Sequence, residues 1–110
     1  MSEKRRAIRR DVAVDLPLVD VNTGRVVGDL ANISYEGFMI LSNRDVAQNS
    51  VFQLSLALPK RINGVDAIYF GAESLWCSPS GKSSKFWVGF HLIDISKQDF
   101  QILQLFVESV

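Results

Sequence analysis

The chain has 110 residues, 47% of them hydrophobic, and its 12 Lys and Arg balance its 12 Asp and Glu. That is enough for one globular domain with a buried core and too little for two. No apolar run approaches the roughly eighteen residues that cross a bilayer, the basic N-terminus has no apolar stretch behind it, and the single cysteine, Cys77, can form neither an internal disulfide nor a cysteine-based zinc site. These features predict a cytoplasmic protein with Cys77 as a core or half-buried thiol.

The neutral total conceals a segregated charge. The first ten residues carry Lys4, Arg5, Arg6, Arg9 and Arg10 against Glu3, a net of +4, which leaves −4 for the rest. Residues 1–11 therefore read as a basic arm ahead of a domain spanning 12–110. Two readings stand for such an arm: a solvated tail, or a grip for an anion. Arginine forks hold phosphate oxygens or a purine edge bidentately and stack on flat rings, so the second reading points to a phosphate or a guanine.

Val12, Val14, Leu16 and Leu18 alternate with Ala13, Asp15 and Pro17, predicting a first strand over about 12–20 with one buried face; Pro17, lacking an N–H, belongs at an edge or bulge. Asn22-Thr23-Gly24 is turn chemistry, with Gly24 free to take a positive φ, and Arg25 to Leu30 resumes the extended pattern as the other arm of a hairpin. Asn32-Ile33-Ser34-Tyr35-Glu36-Gly37 predicts a tight turn, in which Gly37 permits a backbone angle that a Cβ would obstruct. Phe38 to Leu41 is the third strand, and the polar residues 42–50 are a loop.

Val51 to Leu58 alternates until Pro59 and forms the fourth strand, followed by a turn over residues 60–64. The fifth runs from about Val65 to Cys77, with Gly71 marking a bend or bulge. After a solvated turn over residues 78–84, the sixth spans Phe86 to Ile95 with Gly89 at its centre. Then the period changes. Ser96 with Asp99 makes an N-cap, and Phe100, Leu103, Phe106 or Val107, and Val110 recur at helical spacing over about 97–108, in a wide face that Ile102 and Leu105 extend. Six short strands and one terminal helix predict an antiparallel barrel, because closure removes exposed edges, with the helix covering a sheet face or one mouth.

Catalytic and metal-binding constellations are absent from the sequence. His91 is the only histidine, the carboxylates Asp29, Glu36, Asp45, Asp66, Glu73, Asp94 and Asp99 are scattered, and neither a P-loop nor Gly-x-Gly-x-x-Gly occurs, so no enzyme activity and no cofactor are expected. A nucleic-acid binder would carry a basic surface beyond one arm, and here the remainder is net negative. Tyr35, Phe38, Tyr69, Trp76 and Trp87 are able to stack a base, yet alternating strand positions assign most of them to the core.

The arginine run ahead of an extended Val-x-Val-x-Leu-Pro, followed by Asn32-x-Ser34-x-x-Gly37 at the join of two strands, resembles the PilZ domain family, whose pattern is Arg-x-x-x-Arg followed by Asp or Asn-x-Ser-x-x-Gly. Trp87 to Asp94 is similar to the family's last strand, and a closing helix follows. The resemblance implies a six-stranded barrel without catalytic activity that serves as a receptor for the bacterial second messenger cyclic di-GMP and signals to a downstream protein. It implies that Arg5, Arg6, Arg9 and Arg10 fold over the ligand, that Asn32 and Ser34 hydrogen-bond it from the barrel surface, and that Gly37 keeps the turn tight. The arm fits in two phases, Arg5 with Arg9 or Arg6 with Arg10. Glu36 would repel phosphates if it faced them. Two alternatives accompany this reading: a PilZ-like domain that binds no nucleotide and acts through protein contacts, and a small barrel that binds single-stranded nucleic acid.

Overall fold

The structure, a computed structural model, describes residues 9–81 and 84–110. The expected Lys4, Arg5 and Arg6 of the arm lie outside the described residues. Among the described residues seven strands, β1 (Arg10–Asp11), β2 (Pro17–Asp20), β3 (Val26–Ile33), β4 (Gly37–Ser42), β5 (Val51–Ile62), β6 (Val65–Pro79) and β7 (Phe86–Ile95), precede one helix, α1 (Lys97–Ser109). Every pairing is antiparallel. The order β3-β2-β5-β6-β7-β4 returns to β3 through the β3–β4 pairing and closes a six-stranded barrel, with β1 as a short addition beside β3.

The predicted first strand is divided in two. Arg10 and Asp11 pair with Ile33 and Asn32, and Pro17 and Leu18 pair further along the same edge of β3 with Asp29 and Gly28. Between them Val12 N donates to Ala31 O and Leu16 O accepts from Leu30 N, while residues 13–15 bulge outward. Val14 is therefore 55% exposed, although alternation placed it inward. Pro17 opens β2, where its missing N–H interrupts nothing.

Other boundaries moved as well: β3 runs on through Asn32 and Ile33, expected in the turn, and β6 reaches Pro79 rather than Cys77. β5 runs through Pro59 to Ile62, and its register with β6 breaks between Ala57 and Ile62, so the proline sits in an irregularity that needs no ladder donor. The turn expected over residues 60–64 narrows to Asn63-Gly64, both at positive φ (49° and 79°), because two such residues match the twist of a tight hairpin. The bend expected at Gly71 is present as a register shift between Gly71 and Ala72.

Leu18, Ile40, Leu54, Leu56, Ile68 and Val88 fill the barrel from its strands. Phe38 stacks on Phe90 at 5.0 Å and meets Phe70 edge-on at 5.6 Å, an arrangement that suits the ring quadrupoles. Helix α1 starts where expected: the Ser96 side chain accepts from Asp99 N at 3.0 Å, satisfying one of the free amides of the first turn. It closes the core with Ile102, Leu103, Phe106 and Val107, whereas Leu105, assigned to the same face by sequence, is 40% exposed. No helix among the described residues is long and apolar enough to cross a membrane.

Candidate ligand site

The Asn-x-Ser-x-x-Gly segment joins β3 to β4, and its serine organises the turn. Ser34 Oγ accepts from Glu36 N at 3.2 Å and Gly37 N at 3.3 Å and donates to Gly37 O, and Ser34 N donates to the same carbonyl at 2.8 Å. Ser34 is only 2% exposed. It is thus not presented on the barrel surface, as the motif alone suggested; its hydroxyl is spent on three backbone atoms of the turn.

Gly37 also differs from expectation. Its φ is not among the positive values, so no special backbone angle calls for glycine. The requirement is close approach: Gly37 pairs with His91, and a Cβ there would collide with the carbonyl oxygen of Phe90. Gly37→Ala therefore forces β4 away from β7. In denaturant unfolding it should cost about 1–3 kcal/mol, as overpacking does, and a loss within about 0.5 kcal/mol would show that the two strands part freely.

The described arginines of the arm go to different places. Arg9 Nη1 donates to Asn32 Oδ1 at 2.8 Å, bringing the two half-motifs together on the outside of β3. Arg10 turns toward the last turn of α1, where its Nη1 donates to Val110 O at 3.3 Å; its Nε is buried without a hydrogen-bond partner among the described residues. Beside it the Tyr35 hydroxyl donates to Glu108 Oε2 at 2.9 Å. That hydrogen bond, followed by desolvation and the carboxylate's charge, raises the phenol above its ordinary range, while the Arg10 charge opposes the shift.

Arg9 and Asn32 border a hollow of about 210 Å³ that Met39, Leu75, Trp76 and Gly89 also line. Register explains the grouping: Asn32 pairs with Met39, Met39 with Gly89, and Gly89 with Trp76, so the four form one row across β3, β4, β7 and β6. Three interstrand steps of about 4.8 Å separate its ends, roughly 14 Å. A bulge between Ser74 and Trp76 turns both Leu75 and Trp76 outward, and Trp76 is 44% exposed. Its indole lies over Gly89, where a Cβ would land inside the ring. Alternation had assigned most aromatics to the core; the bulge reverses this for Trp76, and the only signal in the sequence was Gly89, the residue that makes room for a flat indole.

The volume falls below the about 300–1,000 Å³ that encloses a drug-sized molecule, so this hollow is too small to enclose a whole dinucleotide. Arg9 supplies positive charge at its rim. Glu36 does not line it; its exposed carboxylate borders a different hollow. The remaining reactive groups lie elsewhere. His91 Nε2 is 3.0 Å from Glu73 Oε1, and the half-buried Cys77 thiol, raised chiefly by burial, contacts Asp45 and Val46 N. Among the described residues no three His, Cys, Asp or Glu are grouped to hold a metal ion.

Residues 3–109 match the PilZ domain family. No curated protein matches in sequence. Among solved structures, the fold is similar to the inhibitor of motility MotI/DgrA from Bacillus subtilis (TM-score 0.74, 18% identity, 98% of this chain and 51% of that one). It is also similar to the PilZ domain with c-di-GMP of YcgR from Escherichia coli (TM-score 0.72, 15% identity, 97% and 91%). The complex of YcgR with c-di-GMP superposes comparably (TM-score 0.71, 15% identity, 97% and 46%). The chain thus spans about half the length of the Bacillus protein, covering 51% of it.

Proposed function

The chain belongs to the PilZ domain family, matched over residues 3–109, and from that premise we propose that it is a cyclic di-GMP receptor whose Arg9, Asn32 and Trp76 make the first contacts. The observation that carries this reading is the Arg9–Asn32 hydrogen bond at the rim of a hollow that an exposed indole lines. A cyclic dinucleotide presents two phosphates and two flat guanines. One guanine stacks on Trp76, a phosphate or a Hoogsteen edge engages Arg9, and Asn32 exchanges its bond to Arg9 for one to the ligand. The similar YcgR domain was solved with c-di-GMP, and it shares this fold.

Of the two phases, the Arg5 with Arg9 spacing is favoured, since Arg9 already stands at the hollow while Arg10 is held at the end of α1. Ser34 and Gly37 act as positioning residues, one by tying the turn, the other by letting β4 lie against β7 so that Asn32 and Met39 align with Gly89. The ordered arm over the ligand is the change that a downstream protein would read.

Calorimetric titration with cyclic di-GMP, beside GMP and a short single strand, tests the assignment. Saturable binding of the cyclic dinucleotide alone is expected, with quenching of tryptophan emission that Trp76→Ala abolishes and Trp87→Phe preserves. Trp76→Ala should weaken binding by about 1–3 kcal/mol, the usual worth of one stacked base. Binding of cyclic di-GMP no tighter than GMP would remove the receptor function.

A further inference from the structure

The Ser34–Gly37 turn has a second side. There, a hollow of about 650 Å³ is walled by Tyr35 and Glu36 of the turn, by the end of β7 including Ile93 and Asp94, and by Phe100 in the first turn of α1. It shares no lining residue with the hollow at Arg9 and Trp76. Its walls are tied together, because Leu92 N donates to Glu36 O at 2.9 Å and Phe100 N to Ser96 O at 2.9 Å.

Its surface chemistry is uneven. Ile93 is 45% exposed and Phe100 is half-buried, so apolar surface is available within a concavity rather than scattered singly. Glu36 and Asp94 are exposed at the same hollow and have no ion-pair partner among the described residues, whereas the nearby Glu73 carboxylate is held at His91. The hollow therefore combines an apolar surface with two carboxylates that have no ion-pair partner among the described residues, beside a His91 that is already held by Glu73. Polyanions, including nucleic acid and cyclic dinucleotides, are repelled from it, and an acidic peptide would bury like charges.

We propose that this hollow is the docking surface for a partner segment of mixed basic and apolar character. An aliphatic side chain of the partner packs on Ile93 and Phe100, and flanking lysines or arginines face Glu36 and Asp94. The apolar contact supplies most of the affinity, and the charge pair sets partner choice and association rate. This proposal does not rest on the cyclic di-GMP reading, since the two hollows share no lining residue.

The test uses the full chain, isotope-labelled, and two capped pentapeptides that alternate leucine with arginine or leucine with glutamate. Amide shifts at Glu36, Ile93, Asp94 and Phe100 are expected with the arginine peptide alone, weakening as salt is raised to about 0.5 M. The double variant Glu36→Gln with Asp94→Asn should lower affinity roughly fivefold, as two exposed ion pairs warrant, and Ile93→Ser at least as much. All three positions are exposed, and melting curves verify that the variants remain folded. Shifts absent from these residues, equal shifts with the glutamate peptide, or affinity unchanged in both variants would overturn the proposal.

Discussion

Arg9→Ala should lower the affinity for cyclic di-GMP by about 2–5 kcal/mol, roughly thirtyfold to several thousandfold, in calorimetric titration. The size follows from what is removed: a charge-assisted contact that the bound ligand itself would desolvate, made by an exposed guanidinium at the rim of the hollow, where Arg9 Nη1 stands 2.8 Å from Asn32 Oδ1. Asn32→Ala removes a neutral partner and should cost about 1 kcal/mol. If both side chains act on one small ligand, the double variant departs from the sum of the single losses by more than the ~0.5 kcal/mol seen for independent sites. Arg10→Ala supplies the contrast. Its guanidinium bonds Val110 O rather than bordering the hollow, so its replacement should act on thermal stability before it acts on affinity. An Arg9→Ala variant that binds as the parent does would return the arm to the status of a solvated tail.

Leu103→Ala should cost about 2–5 kcal/mol of unfolding free energy, the range for deleting a buried leucine and leaving a cavity. Leu103 is 1% exposed and belongs to the face of α1 that closes the barrel with Ile102, Phe106 and Val107. Leu105→Ala, two residues away but 40% exposed, should change stability by no more than about 0.5 kcal/mol. Denaturant unfolding measures both, and circular dichroism shows whether the barrel persists. Equal effects at the two positions would mean that α1 is held by its general apolar character rather than by this face. The same comparison bears on Arg10, because the last turn of α1 also receives its guanidinium and the Tyr35 hydroxyl through Val110 and Glu108.

Local chemistry made much of the fold legible. Strand β7 runs over Phe86–Ile95 as the alternation indicated, and α1 over Lys97–Ser109 follows the Ser96 cap and the change of period. A period-two run with a buried face, a cap and a turn are each properties of a few consecutive residues, so they survive without knowledge of the rest of the chain. Where a segment left its ladder, the reading failed. Residues 12–16 alternate like a strand, yet the chain bulges away from β3 between Val12 and Leu16 and exposes Val14. Pro59 looked like a terminator, yet β5 carries it through an irregularity opposite β6.

The site divides in the same way. The two half-motifs were visible as residue types at fixed spacing, and so was the accumulation of arginine in the arm, because charge and hydrogen-bonding capacity belong to the side chain wherever the backbone takes it. Which arginine meets Asn32, and whether Ser34 faces solvent or the turn, depend on the direction of side chains that sequence spacing leaves free. Trp76 is the clearest case. Alternation alone treats it like the buried Phe70 and Phe90, and only the bulge beside Leu75, in register with a glycine on the neighbouring strand, lays its indole on the outside of the barrel. The sequence by itself therefore determined the barrel and its helix, and the arginines of the arm raised the expectation of an anionic ligand. The tertiary structure alone decided the row from Asn32 to Trp76, because residues far apart along the chain become neighbours only through strand register.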